Sequence, residues 1–99
     1  MDPKVEALKQ LFSRTFGDCN VEYQFANELH KFRLEWRPVH WLYVGRNFLD
    51  DHTEQELIDS VARGRIVDAF RTSQASRWLF LSGEGVREVD DTFGRGRAL

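Results

Sequence analysis

Two short stretches, Val39-His40-Trp41-Leu42-Tyr43-Val44 and Trp78-Leu79-Phe80-Leu81, are apolar at nearly every position, and they constrain how this 99-residue chain can fold. Successive strand residues point to opposite faces, so Trp41 and Tyr43 oppose Leu42 and Val44, and Trp78 and Phe80 oppose Leu79 and Leu81. Strands of this kind are normally covered on both sides. A chain of this length makes one domain with a modest core. Its helical segments are enough to cover one side of a sheet.

The first of those segments is residues 2–16. Asp2 is placed to cap it, Pro3 fits the first helical position, and Gly17 fits a left-handed C-terminal cap. Val5, Leu8, Phe12 and Phe16 recur every three or four residues and share one face. Residues 20–46 then read as three strands. Val21, Tyr23 and Phe25 alternate with Glu22 and Gln24, and Ala26-Asn27-Glu28 is a turn. Phe32, Leu34 and Trp36 alternate with Lys31, Arg33 and Glu35, and Pro38 breaks the pattern before the apolar run at 39–44.

Residues 45–51 read as a connection. Thr53-Glu54-Gln55-Glu56 is a capping box that opens a second helix, with Leu57, Ile58, Val61 and Ala62 as its stripe. The stripe continues through Ile66, Ala69 and Phe70. Gly64 interrupts it at a cost of roughly 1 kcal/mol against alanine, so the helix either bends there or gives way to a separate short element. Residues 77–90 read as a hairpin turning at Ser82-Gly83-Glu84-Gly85. The expected fold is a single α+β domain over 1–92, of order α-β-β-β-α-β-β, with a mostly antiparallel sheet and helices on one face. Residues 93–99 are expected to be a flexible tail. The pattern leaves open whether the hairpin adds beside the third strand or the first.

One sheet face is therefore left without a cover unless the tail or the 45–52 connection folds over it. Contiguous exposed apolar surface marks an interface. The expectation is a non-enzymatic interaction or regulatory module, a homodimer or a binder of another protein. Its interface is either Trp41, Tyr43, Trp78 and Phe80, or the alternating set Leu42, Val44, Leu79 and Leu81, with Arg37, Arg46 and Arg77 as a rim.

Composition sets several other classes aside. The net charge is -2, and each half of the chain is close to balance. That lacks the basic excess of a nucleic-acid footprint. The order of the first five elements resembles a double-stranded-RNA-binding domain, which grips phosphates with lysines at the start of its second helix. Here that position reads Asp50-Asp51-His52-Thr53-Glu54, which repels phosphate. Trp36, Arg37, His40 and Trp41 mix rings with cations as a single-strand stacking platform does, and they form the alternative reading, a nucleic-acid-binding regulator. His40, His52 and Glu56 form a third, a small metal-dependent protein or enzyme, though no metal motif is present and no cofactor is expected. Gly83-Glu84-Gly85 reads as a turn because its acidic centre does not suit a phosphate cradle.

Cys19 follows Asp18, which disfavours the thiolate, and as the single cysteine it forms no internal disulfide. No apolar run reaches the ~18–20 residues of a membrane span. The charged start, Met1-Asp2-Pro3-Lys4-Val5-Glu6, lacks the core of a secretory signal. The expected compartment is the cytoplasm. The excess of Arg over Lys fits a GC-rich bacterial or phage genome.

Overall fold

The alternation in the first half of the chain is realised as β1 (Asn20–Ala26), β2 (Leu29–Glu35) and β3 (His40–Gly45), preceded by α1 (Pro3–Thr15). The computed structural model describes residues 2–93. As the sequence requires, the Asp2 side chain accepts from the Lys4 N–H at 2.8 Å, Pro3 opens α1, and Gly17 takes a positive φ of 67°. Val5, Leu8 and Phe12 are at most 1% exposed.

The β1–β2 turn consists of Asn27 and Glu28, both with φ above 50°, the geometry of a two-residue hairpin whose twist matches its strands. Glu28 adopts this disfavoured conformation while its side chain binds Arg46 at 2.9 Å and its carbonyl accepts the Arg46 N–H at 3.1 Å.

The segment between β3 and the next strand holds three helices, where the sequence pattern predicts a connection and then a helix that either bends at Gly64 or gives way to a separate short element. They are α2 (Arg46–Asp51), α3 (Glu54–Arg63) and α4 (Ile66–Thr72). No periodicity announces α2, since only Phe48 and Leu49 are apolar. It forms because Leu49 is fully buried and because the Lys4 ammonium donates to the Leu49 and Asp50 carbonyls at its C-terminal end, at 3.0 and 3.1 Å. The capping box of α3 is complete in both directions.

The predicted interruption at Gly64 is a full break. Gly64 ends α3, and Arg65 turns the chain with φ 55° before α4 begins. A Cβ at Gly64 would lie 2.4 Å from Cγ2 of Val86. Gly64→Ala is therefore expected to destabilise the fold by about 1–3 kcal/mol despite alanine's better helix propensity, because overpacking a stiff β-branched neighbour outweighs that gain. A denaturant midpoint at or above wild type would contradict this.

β4 (Trp78–Ser82) and β5 (Gly85–Val89) complete a five-stranded sheet of order β1-β2-β3-β4-β5. All neighbours are antiparallel except β3–β4, which the helical crossover makes parallel. The hairpin thus joins beside β3. The fold is α+β with a mostly antiparallel sheet, its helices packed against one face, and four helices in the order α-β-β-β-α-α-α-β-β.

Register decides what lies on each face. On the helix side run Tyr23, Phe32, Leu42 and Leu79, flanked by Val21, Leu34 and His40 and by Phe25, His30, Val44 and Leu81. Leu42, Val44, Leu79 and Leu81 are at most 3% exposed and belong to the core with Phe12, Leu57, Ile66 and Phe70. The other face carries two cross-strand rows, Glu22–Arg33–Trp41–Trp78–Val89 and Gln24–Lys31–Tyr43–Phe80–Arg87. No helix covers it.

Candidate functional site

Trp41 and Trp78 stand at paired positions of the parallel β3–β4 ladder, and this register stacks their indoles. The ring centroids are 4.8 Å apart and the planes differ by 3°. Both rings are half-buried. In the next row the Lys31 ammonium lies 5.9 Å from the Tyr43 ring centre. Phe93 packs on Tyr43 at 5.8 Å and on Phe80 at 4.8 Å, and the Arg87 guanidinium lies 5.4 Å from both the Phe80 and Phe93 rings. Tyr43 is 5% exposed as a result. Phe93 and Arg87 therefore close the Tyr43–Phe80 half of this face, and among the described residues none packs over the Trp41–Trp78 half in the same way. Residue 93, read from sequence as the start of the tail, packs on the sheet; residues 94–99 lie outside the described part.

Beside the indoles is a groove of about 630 Å³, bounded by Trp41, Trp78, Tyr43 and Phe93 and by the polar groups of Glu22, Gln24, Lys31, Arg33 and Asp91. Arg33 binds Glu22 at 3.0 Å and also binds Glu35, so its charge is already met. Glu35 is held below the ordinary carboxylate range by hydrogen bonds from Asn20 and its other neighbours, Arg33 among them. Among the described residues the groove lining contains both signs of charge and no serine, cysteine or histidine.

The predicted rim is distributed differently. Arg77 lies on the helix side of β4, where its Nε donates to Glu88 at 2.6 Å. Arg46 is at the far end of β3, bound to Glu28. Arg37 is exposed in the β2–β3 connection. The cations that do border Trp41, Tyr43 and Phe80 are Lys31, Arg33 and Arg87, together with the acids Glu22 and Asp91. Lys31, Arg33 and Glu22 belong to the polar alternation of β1 and β2 that the sequence displays. Only the pairing of β2 with β3 puts that alternation beside the tryptophans.

The set Trp36, Arg37, His40 and Trp41 is split: the Trp36 and His40 rings lie 6.4 Å apart on the core side, away from Trp41. Trp36 packs on Phe16 at 4.6 Å on the core side. His40 is fully buried and stacks on Phe70 at 4.6 Å with an 11° interplanar angle. Its Nδ1 accepts the Arg77 backbone N–H at 3.1 Å, while among the described residues Nε2 makes no well-formed hydrogen bond. Burial lowers the His40 pKa, against a smaller opposing effect of the Phe70 carbonyl. His30 is also buried and lowered, and its Nδ1 meets the Tyr23 hydroxyl at 2.7 Å.

His40, His52 and Glu56 are likewise apart. His52 stacks on Phe48 and bonds its carbonyl through Nδ1 at 2.6 Å, and Glu56 is engaged in the capping box. Among the described residues no three His, Cys, Asp or Glu side chains converge to hold a metal. The Cys19 thiol is pushed up by burial and by Glu35. Among the described residues no helix is long and apolar enough to cross a membrane.

No protein-family model, curated protein or solved structure matches this chain.

Proposed function

We propose that the chain is a non-enzymatic protein-interaction module, working in the cytoplasm, whose docking surface is the open half of the uncovered sheet face. The observation that carries this is the stacked Trp41–Trp78 pair, half-buried beside a groove of about 630 Å³ on the face that no helix of the described residues covers. Tryptophans at the centre of an interface are the residues that most often dominate binding energy. The groove is too short of net positive charge to favour a polyanion, since Glu22 and Asp91 line it and Arg33 is paired. Its mixed charges around an aromatic centre suit a segment of a partner protein. A flat face-to-face homodimer would have to accommodate or displace Phe93 and Arg87.

The test compares the wild-type chain with Trp41→Ala/Trp78→Ala as baits in cell lysate, followed by titration of the protein each retains. The wild type is expected to retain a stoichiometric partner, and the double variant is expected to bind it at least about 30-fold more weakly, the loss of one hot-spot side chain or more. A folded double variant that keeps undiminished affinity overturns the reading.

A further inference from the structure

β1 stands at one edge of the sheet, with β2 as its neighbour. The two-residue turn makes Ala26 and Leu29 a hydrogen-bonded pair, so Gln24, Glu22 and Asn20 bond β2 in turn. The N–H and C=O groups of Val21, Tyr23 and Phe25 consequently point away from the sheet. Exposed edges are usually protected by lysine, proline or a bulge. β1 has none of these, and its one charged side chain, Glu22, is committed to Arg33. It also carries Phe25, a large apolar side chain that is 45% exposed. At the other end of the same edge, α1 overhangs Val21 and leaves a recess of about 200 Å³ bounded by Lys9, Gln10, Ser13, Cys19 and Val21.

We propose that two copies of the chain pair antiparallel through β1, about a two-fold axis at Tyr23. In this register Tyr23 meets its equivalent and Val21 meets Phe25 of the other copy, so all three outward-facing residues exchange both backbone hydrogen bonds. Opposed residues project to the same face, which places each Phe25 ring on the helix side against the other copy's Val21, at the recess. A cavity of about 150 Å³ is enough to take up a benzene ring. On the opposite face Glu22 stands across from Gln24, an acceptor facing a donor. Shifting the axis to Glu22 would oppose two carboxylates, and shifting it to Gln24 would move Phe25 away from the recess and shorten the ladder.

The axis is perpendicular to the sheet, so the two copies form one ten-stranded sheet with all helices on one side. Six strand spacings of about 4.8 Å would then separate the two Trp41–Trp78 pairs on the other side. If those pairs dock a partner as proposed above, the dimer is bivalent on a single face and gains avidity for a repeated or dimeric partner. The edge pairing itself does not depend on that reading.

Light scattering after size exclusion, at several loading concentrations, tests the pairing on the intact chain. The wild type is expected at twice the monomer mass. Phe25→Pro, which removes one outward N–H and the ring while sparing the β1–β2 ladder, and Phe25→Lys are expected to be folded monomers by circular dichroism. Trp41→Ala/Trp78→Ala should remain dimeric. In a Cys19→Ser background, a mixture of Glu22→Cys and Gln24→Cys chains should cross-link under mild oxidation far more than either chain alone. A wild type that is monomeric at every concentration, or a dimer that survives both Phe25 variants, overturns the proposal. So does a dimer lost only in the tryptophan variant, which would move the interface to the open face.

Discussion

Leu42→Ala is expected to lower the unfolding free energy by about 2–5 kcal/mol, whereas Trp41→Ala, one residue earlier, costs less and leaves a folded chain. Leu42 is fully buried in the cluster that includes Phe12, Phe32 and Leu57, so its truncation leaves a cavity that rigid neighbours on both layers cannot close. Trp41 is half-buried on the face opposite the helices, and its loss exposes surface without opening a hole. A domain of this size has roughly 5–15 kcal/mol to lose, and each kcal/mol moves the midpoint temperature by about 4–8 °C. Thermal melts of the two variants should therefore separate clearly. If Trp41→Ala proves the more damaging, the assignment of the two faces is wrong.

Acidification from pH 7.5 to 5.5 is expected to destabilise the protein through its two buried histidines. His30 and His40 both have pKa values lowered by burial. In the unfolded chain each takes up a proton below about pH 6.5. Between that value and the lower folded value the unfolded state holds more protons, so stability falls as pH falls. The slope approaches about 1.4 kcal/mol per pH unit for each histidine. The shifted carboxylates act in a different window. Glu35 and Glu56 are held below the usual range by hydrogen bonds, so what they contribute is present above it and is lost only at more acidic pH. Denaturant titrations between pH 7.5 and 5.5 consequently report the histidines. His40→Asn keeps an acceptor for the Arg77 N–H and should flatten the profile by one histidine's share. A variant profile parallel to wild type would exclude His40 as a source of the dependence.

These two predictions rest on parts of the chain that were unequally legible. The α1 boundaries follow from Asp2, Pro3 and Gly17, and the α3 start follows from Thr53 and Glu56, because caps act within one turn of backbone. The strand alternation, the α+β class and the two-sided character of residues 39–44 and 78–81 are also local properties. Alternation has no sign, however. The sequence treats Trp41 and Leu42 alike, and only the packing of α1, α3 and α4 on one side makes Leu42 core and Trp41 surface. The placement of β4 beside β3 depends on a crossover of three helices, one of which, α2, is held by Leu49 burial and by Lys4 from a distant segment.

The candidate site was legible in its aromatic centre and not in its border. Arg37, Arg46 and Arg77 are neighbours of the strands along the chain, while Lys31, Arg33 and Arg87 are neighbours across the sheet. Phe93 joins them through the tertiary fold alone. The sequence by itself determined the elements and the presence of more apolar surface than one helix layer can cover. Tertiary structure decided which residues lie on that surface, because strand register and layer packing are set by contacts between segments far apart in the chain.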